Sequence, residues 1–324
     1  MTSVMDPNVY NVAVEGNFDD CQAIVKSMFN QRETDPEVKA VKLGAVNSIN
    51  WARILAQIVY YFSGYHQWLK LDASRKYGDK VTFVVPTGNF GNALAGYYAR
   101  QLGLPIGRIV VATNANDILH RFISEGDYTQ GEFLATSAPA MDITIPSNFE
   151  RYLFDMSGRN GAVLASWMEQ IKEKGTFAME GDREEKLTEM RSVFSSARAS
   201  DEEIHAAQML HIKKFKGYTH CPHTCAGVHA IEQVHKAEHA PYILMATAHH
   251  GKFGESLAEA ATAVRPKLPE RLESLDGSLR RLWKAPNSVE MIKKYLITHV
   301  AVQPKAVERQ EGSGCGMPNQ CRIS

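Results

Sequence analysis

The sequence predicts an α/β protein: a mostly parallel sheet flanked by helices. Two observations carry this. Short apolar runs rich in β-branched residues, at 80–86, 109–113 and 242–246, alternate along the chain with stretches of helical period. Two of those runs end in loops that lead straight into helical sequence, Pro86-Thr87-Gly88-Asn89-Phe90-Gly91 and Ala246-Thr247-Ala248-His249-His250-Gly251. Strand, loop and helix in repeated succession is how parallel strands are joined. With 324 residues, 44% of them hydrophobic, there is material for one large domain or two smaller ones.

Taken in order, residues 10–14 alternate weakly and stop at Glu15-Gly16-Asn17. A helix follows, with Asn17 or Asp19 as cap and Ala23, Ile24 and Met28 on its apolar face. Residues 31–40 are polar and read as a linker. A long helix spans 47–72, because Ile54, Leu55, Ile58, Val59 and Phe62 recur at spacings of three and four, and Asn47 or Ser48 stands at the N-cap. Strand 80–86, a glycine-rich turn and helix 90–102 come next; Gly103 ends that helix and Pro105 bars its continuation. Strand 109–113 and helix 117–124 follow. Residues 161–197 read as helix with interruptions, 205–215 and 224–237 as two more helices, and strand 242–246 precedes a helix over 255–264. Residues 304–324 end in a Gly- and Ser-containing polar stretch and are expected to form a disordered tail.

Composition narrows the function. Lysine plus arginine and aspartate plus glutamate both number 36, so no global field favours nucleic acid. No run reaches the ~18 apolar residues of a membrane span, and the N-terminus has neither a basic nor an apolar segment of the secretory kind. Five cysteines are too few and too uneven for a disulfide framework, which suggests reduced thiols in the cytoplasm. Cys221-Pro-His-Thr-Cys225, near His220, His223 and His229, invites a metal reading. The cysteines are four apart and no second pair follows at zinc-finger spacing, so no metal is expected.

Three stretches can carry chemistry. A glycine-rich turn between strand and helix leaves backbone N–H groups free beside the positive end of a helix, so Gly88, Asn89, Phe90 and Gly91 form a candidate phosphate cradle. Glycine there allows close approach and positive φ. The stretch is neither G-x-G-x-x-G nor Walker A, which disfavours a dinucleotide or nucleoside triphosphate; a tight turn with no ligand is the alternative. The second loop offers the neutral hydroxyl of Thr247 and the imidazoles of His249 and His250 at the strand end where ligands of open α/β sheets bind. Lys252 beside it reads as a solvated lysine. In the third stretch, Asn47, Ser48 and Asn50 crowd a helix start; capping accounts for one of them well and for three poorly.

Seven segments, VEGNFDDCQAIVKSMF, NSINWARILAQ, VVPTGNFGNALAGYYARQLGLP, ATNANDILHRF, SAPAMDI, PHTCAGV and ATAHHGKF, closely resemble the threonine synthases in order, and more narrowly their bacterial and fungal branch and its threonine-synthase-like relatives. The resemblance implies a fold type II enzyme, tryptophan synthase β-like, that uses pyridoxal 5'-phosphate to convert O-phosphohomoserine and water to threonine and phosphate. It implies that Gly88, Asn89, Phe90 and Gly91 hold the cofactor phosphate and that Thr247 faces the pyridine nitrogen. Asn92 stands where the family usually has Asp. His250-Gly251 replaces Pro-Ala, and Cys221 replaces an Asp. Asn47, Ser48, Asn50 and His249 are candidate contacts to a substrate, O-phosphohomoserine or a similar phosphorylated amino acid.

The family's cofactor-anchoring (Schiff-base) lysine lies in a Ser-Phe-Lys-Asp motif that these residues do not contain, so no catalytic residue is assigned within them, and the lysine is expected upstream of Met1. Lys252 matches a different lysine of the family. On this resemblance the chain is expected to be a C-terminal portion, with 1–38 a remainder of the small domain and 39–303 the large cofactor-binding domain. A non-catalytic binding module derived from the family, or a phospho-lyase of another substrate, is the alternative.

Overall fold

The computed structural model describes residues 2–16, 18–46, 50–179, 181–215, 218–238, 241–256, 268–275 and 277–299. The expected tail, the helix expected beyond residue 256, and Asn47 and Ser48 lie outside the described residues. The chain divides into two compact units, one of residues 1–44 with 279 onward, the other of residues 45–278.

The larger unit is built on a four-stranded sheet, every pairing parallel: β2 (Val81–Pro86), β3 (Ile106–Thr113), β4 (Phe194–Arg198) and β5 (Tyr242–Leu244), in the order β4-β3-β2-β5. All six residues of β2 are buried, as a strand covered on both faces requires. Alternation divides its side chains. Val81, Phe83 and Val85, with Ile109 and Val111, enter a core shared with α3 (Trp51–Lys70), α4 (Gly91–Gln101), α5 (Ile118–Glu125), α6 (Phe149–Met156), α7 (Gly161–Lys174) and α8 (Arg183–Val193). Val84, Val110 and Ala112 point the other way and meet Ala230 of α10 (Pro222–Glu238). α3 buries Ile54, Ile58, Tyr61, Tyr65 and Trp68, a stripe at spacings of three and four. Gly96 lets α4 approach it: a β carbon there would stand 2.6 Å from the Tyr61 ring. α9 (Asp201–Lys214) packs beside α10. A short helix, α11 (Glu270–Glu273), lies near the end of the unit.

Four local expectations need correction. The cap of α3 is Asn50, not Asn47 or Ser48: its Oδ1 accepts the Ala52 N–H at 2.9 Å. The end of the stretch read as helix, 194–197, is strand β4, because Phe194 turns extended (φ −110, ψ 144) and pairs opposite Ile109. α9 starts before His205, where Ser200 and Glu203 form a reciprocal capping box. The 31–40 segment is not a plain linker: Asp35 caps α2 (Pro36–Val41), accepting from the Glu37 and Val38 N–H groups, with Pro36 at the first helical position.

The smaller unit joins both ends of the described chain. β1 (Val12–Val14) pairs in parallel with β6 (Trp283–Ala285), Val12 opposite Trp283. α1 (Phe18–Gln31) and α12 (Val289–His299) complete it, with Lys293 of α12 paired to Asp35 and Glu37. Residues 279–299 therefore belong with the N-terminal segment and not with the 39–303 domain that the sequence suggests; a three-residue strand needs its partner, and β6 is that partner. Among the described residues no helix is long and apolar enough to cross a membrane.

Candidate functional site

Between β2 and α4 the chain must turn from strand to helix in four residues. Thr87 fixes the start: its N–H donates to Ala112 O at 2.8 Å and its hydroxyl to Val85 O at 2.7 Å. Gly88 is required by close approach, since a β carbon would lie 2.9 Å from Ala140 O and 3.0 Å from Met141 Cα, both main-chain atoms. The expected positive φ is on neither glycine. It falls on Phe90 (φ 63), which caps α4. Aromatic packing holds Phe90 in that conformation: its ring is buried, edge-on to Phe149 at 5.0 Å and tilted against Phe194 at 5.5 Å.

The first intrahelical bond of α4 runs from Leu94 N–H to Phe90 O at 2.9 Å. Among the described residues, no group accepts from the backbone N–H groups of residues 88–93. Six consecutive donors at a helix start, with one left-handed residue among them, are the kind of backbone from which anion nests are built. The side chains of the turn are engaged elsewhere. Asn89 Oδ1 accepts from the Ser147 N–H and hydroxyl, each at 3.1 Å. Asn92 accepts from the Tyr61 hydroxyl and donates to Gln57 Oε1 at 3.2 Å, tying α4 to α3. What the turn offers an anion is main chain.

The second loop extends β5. Met245 N–H still donates to Val84 O at 2.9 Å. Counting outward from the pair Val84–Leu244 brings Thr247 level with Thr87, one residue before Gly88. Thr247 is exposed, and its base is held by α10: its N–H donates to Thr224 Oγ1 at 3.1 Å, and the two hydroxyl oxygens stand 3.1 Å apart. Cys221 Sγ closes a triangle, 3.2 Å from Thr224 Oγ1 and 3.5 Å from Thr247 Oγ1. Burial pushes the Cys221 thiol up, but hydrogen bonds from His223, Thr224 and Thr247 outweigh it and bring the pKa down to about 6. Cys225 behaves oppositely: burial, and then the Cys221 charge, push its thiol well up.

His223 connects this loop to the first. It accepts the Ala140 N–H at 3.0 Å, in the segment that Gly88 packs against. His249 is exposed and its Nδ1 accepts the Gly251 N–H at 3.1 Å, so in the neutral ring the proton is on Nε2. His250 is buried, and burial followed by the His249 charge lowers its pKa. Lys252 is exposed. Asn50 has both ends of its amide in use, on Ala52 N–H and Ala45 O.

Of the residues read from the sequence, the structure brings the 88–92 turn and Thr247 to neighbouring strand ends on one edge of the sheet, with His249 two residues beyond Thr247. Asn50 serves its helix. Thr224 was not anticipated, although PHTCAGV contains it; its hydroxyl is legible as a partner only once α10 is set against β5. Among the described residues there is no group of three His, Cys, Asp or Glu side chains placed to hold a metal.

Residues 224–296 match the family model described as threonine synthase, C-terminal. The chain is 41% identical to the threonine synthase of Pseudomonas aeruginosa over 299 residues, covering 92% of this chain and 61% of that one. It is 35% identical to human threonine synthase-like 2, covering 85% and 55%. Among solved structures, the pyridoxal-phosphate-bound threonine synthase from Brucella melitensis superposes with a TM-score of 0.79 at 40% identity, over 92% of this chain and 61% of that one. The yeast threonine synthase superposes with a TM-score of 0.79 at 36% identity, over 94% and 62%. The chain thus spans about three fifths of the length of these relatives, and it shares with the solved ones a parallel-sheet α/β architecture.

Proposed function

This chain is homologous to a C-terminal portion of the threonine synthases, and on that premise we propose that its sheet edge is the cofactor half of a threonine synthase site: the 88–93 turn holds the phosphate of pyridoxal 5'-phosphate, and the protein acts on O-phosphohomoserine to give threonine and phosphate. The observation that carries the reading is the run of six backbone donors without a protein acceptor at the start of α4. A phosphate dianion satisfies such donors, and each charge-assisted bond is roughly twice as strong as a neutral one. Gly88 and Gly91 present no side chain to it, and Asn89 and Asn92 are turned into their own hydrogen bonds, so the cradle is open.

Pyridoxal phosphate, when bound, supplies an electron sink for carbanion chemistry at the carbon atoms of an amino acid. The chain's own part is to orient. With the phosphate at the end of β2, Thr247 at the end of β5 offers a hydroxyl to the ring nitrogen. His249, exposed two residues on, has an Nε2–H to offer when neutral, and we assign it to the substrate. Asn47 and Ser48 remain part of this substrate assignment; Asn50 contributes by capping α3 beside them. We place the protein in the cytoplasm: Cys21, Cys221 and Cys225 are all free thiols.

The test is an absorbance titration with pyridoxal phosphate, for the chain and for Gly88→Val. Weaker binding in the variant supports the cradle; equal affinity, or no binding by either protein, overturns it. Phosphate release from O-phosphohomoserine, assayed on these residues joined to the lysine-bearing portion of a threonine synthase, tests the reaction.

A further inference from the structure

Thr247 has one hydroxyl proton, and two neighbours compete for its direction. Thr224 Oγ1 already accepts the Thr247 N–H, at 3.1 Å, so its own hydrogen must go to the sulfur at 3.2 Å or to the Thr247 oxygen at 3.1 Å. Cys221 Sγ receives the Thr224 N–H as well, at 3.5 Å, and stands 3.5 Å from the Thr247 oxygen. A thiol adds a third proton to this triangle; a thiolate removes it and accepts only. We propose that Cys221 is a positioning residue that sets the sign of the hydrogen bond Thr247 offers to its ligand.

Counting protons gives the sign. With the sulfur ionised, both hydroxyls donate to it, and Thr247 turns only lone pairs outward. A ligand nitrogen there must then bring its own proton. With the sulfur protonated, Cys221 or Thr224 can donate to the Thr247 oxygen, and the Thr247 hydrogen is released outward, toward an unprotonated nitrogen. The change is a single proton exchanged with solvent. Cys221 is fully buried, so the effect reaches the ligand only through Thr247.

The titratable groups around Cys221 are His220, His223 and Cys225 on its own segment, His211 of α9, and His249 and His250 of the loop after β5. His211, His220 and His250 are lowered by burial, which favours their neutral forms. Cys225 is pushed the other way. The direction for Cys221, down to about 6, places the switch within reach of ordinary buffers.

This inference rests on the cofactor reading only for the identity of the ligand nitrogen. The first experiment does not need the cofactor. Thiolate ultraviolet absorbance of the 324-residue chain is followed against pH, and the same curve for Cys221→Ser is subtracted to isolate Cys221. Thr247→Val removes one donor and should move the midpoint upward by about one pH unit; Thr247→Ser keeps the hydroxyl and should leave it in place. A Thr247→Val midpoint equal to wild type overturns the proposal. The second experiment follows the absorbance of added pyridoxal phosphate. Wild type should show a transition at the Cys221 midpoint that is missing in Cys221→Ser; the same transition in both proteins overturns it. If the cofactor does not bind at all, the proposed function fails while the thiol titration still decides this inference.

Discussion

At Gly88 a β carbon would meet two main-chain atoms of the 140–141 segment at 3.0 Å or less, and main chain cannot rotate away as a side-chain tip can. Gly88→Ala should therefore displace that segment and cost about 1–3 kcal/mol, the range for overpacking, with weaker pyridoxal phosphate binding in an absorbance titration; unchanged urea denaturation and affinity would count against it. Phe90 poses the opposite problem. Its left-handed φ costs about 1–2 kcal/mol, which glycine would relieve, but emptying a buried phenylalanine site costs about 3–5 kcal/mol. The packing loss is the larger, so Phe90→Gly should destabilise by about 2 kcal/mol despite suiting the backbone. A stabilised variant would show that the ring contacts contribute less than their burial implies. At Thr247 the hydroxyl contributes about 1 kcal/mol to a neutral acceptor, so Thr247→Val should weaken pyridoxal phosphate binding by about fivefold, read in an absorbance titration.

At the level of elements, α2 shows how a helix is set by its first residue. Asp35 accepts two N–H groups of its own helix and an ammonium proton from Lys293 of α12. The Lys293 hydrogen bond, and then the helix N–H groups against the opposing effect of burial, hold the Asp35 carboxyl below its usual value. A carboxyl lowered on folding stabilises fully above its unfolded pKa, ~4, and that stabilisation is lost as pH falls through the folded value. Lys293→Met should flatten the acid-side fall in thermal stability; an unchanged acid slope would remove Asp35 from the account. The elements read from the sequence divide by the same physics. The strand cores of β2 and β3, helix α3 and helix α10 were legible because apolar period and length agree. β4 was not, because Phe-Ser-Ser-Ala-Arg alternates too weakly to separate from the helix before it, and only pairing with β3 makes it a strand. α2 carried its signal, Asp35 before Pro36, inside a segment too polar to look helical. β6 was invisible, since three residues have no period and its partner in β1 is 271 positions away, Val12 opposite Trp283.

Across the whole molecule, the site was legible where it is main chain and obscure where it is side chain. Glycines before a helix announce a bare backbone, and the free N–H groups of 88–93 are the result. Which side chains join them depends on the register between β2 and β5, and the Cys221–Thr224–Thr247 triangle belongs to that register and to the placement of α10. The same logic governs how these 324 residues treat the cofactor. On the proposed reading the six N–H groups would hold a phosphate dianion through hydrogen bonds alone, and such a hold is reversible. A covalent hold requires a lysine whose amine is desolvated or charge-activated. Lys252, three residues past the base of His249, is exposed, and its backbone N–H donates to His249 O at 3.1 Å, which fixes the main chain but not the amine. A polypeptide of these 324 residues should therefore bind pyridoxal phosphate reversibly. Borohydride should trap no stoichiometric lysine adduct, and O-phosphohomoserine should yield no phosphate until a Ser-Phe-Lys-Asp segment is supplied. Peptide mapping after reduction checks this directly: a full equivalent of label on Lys252 would make that lysine the anchor and the proposed division of labour wrong.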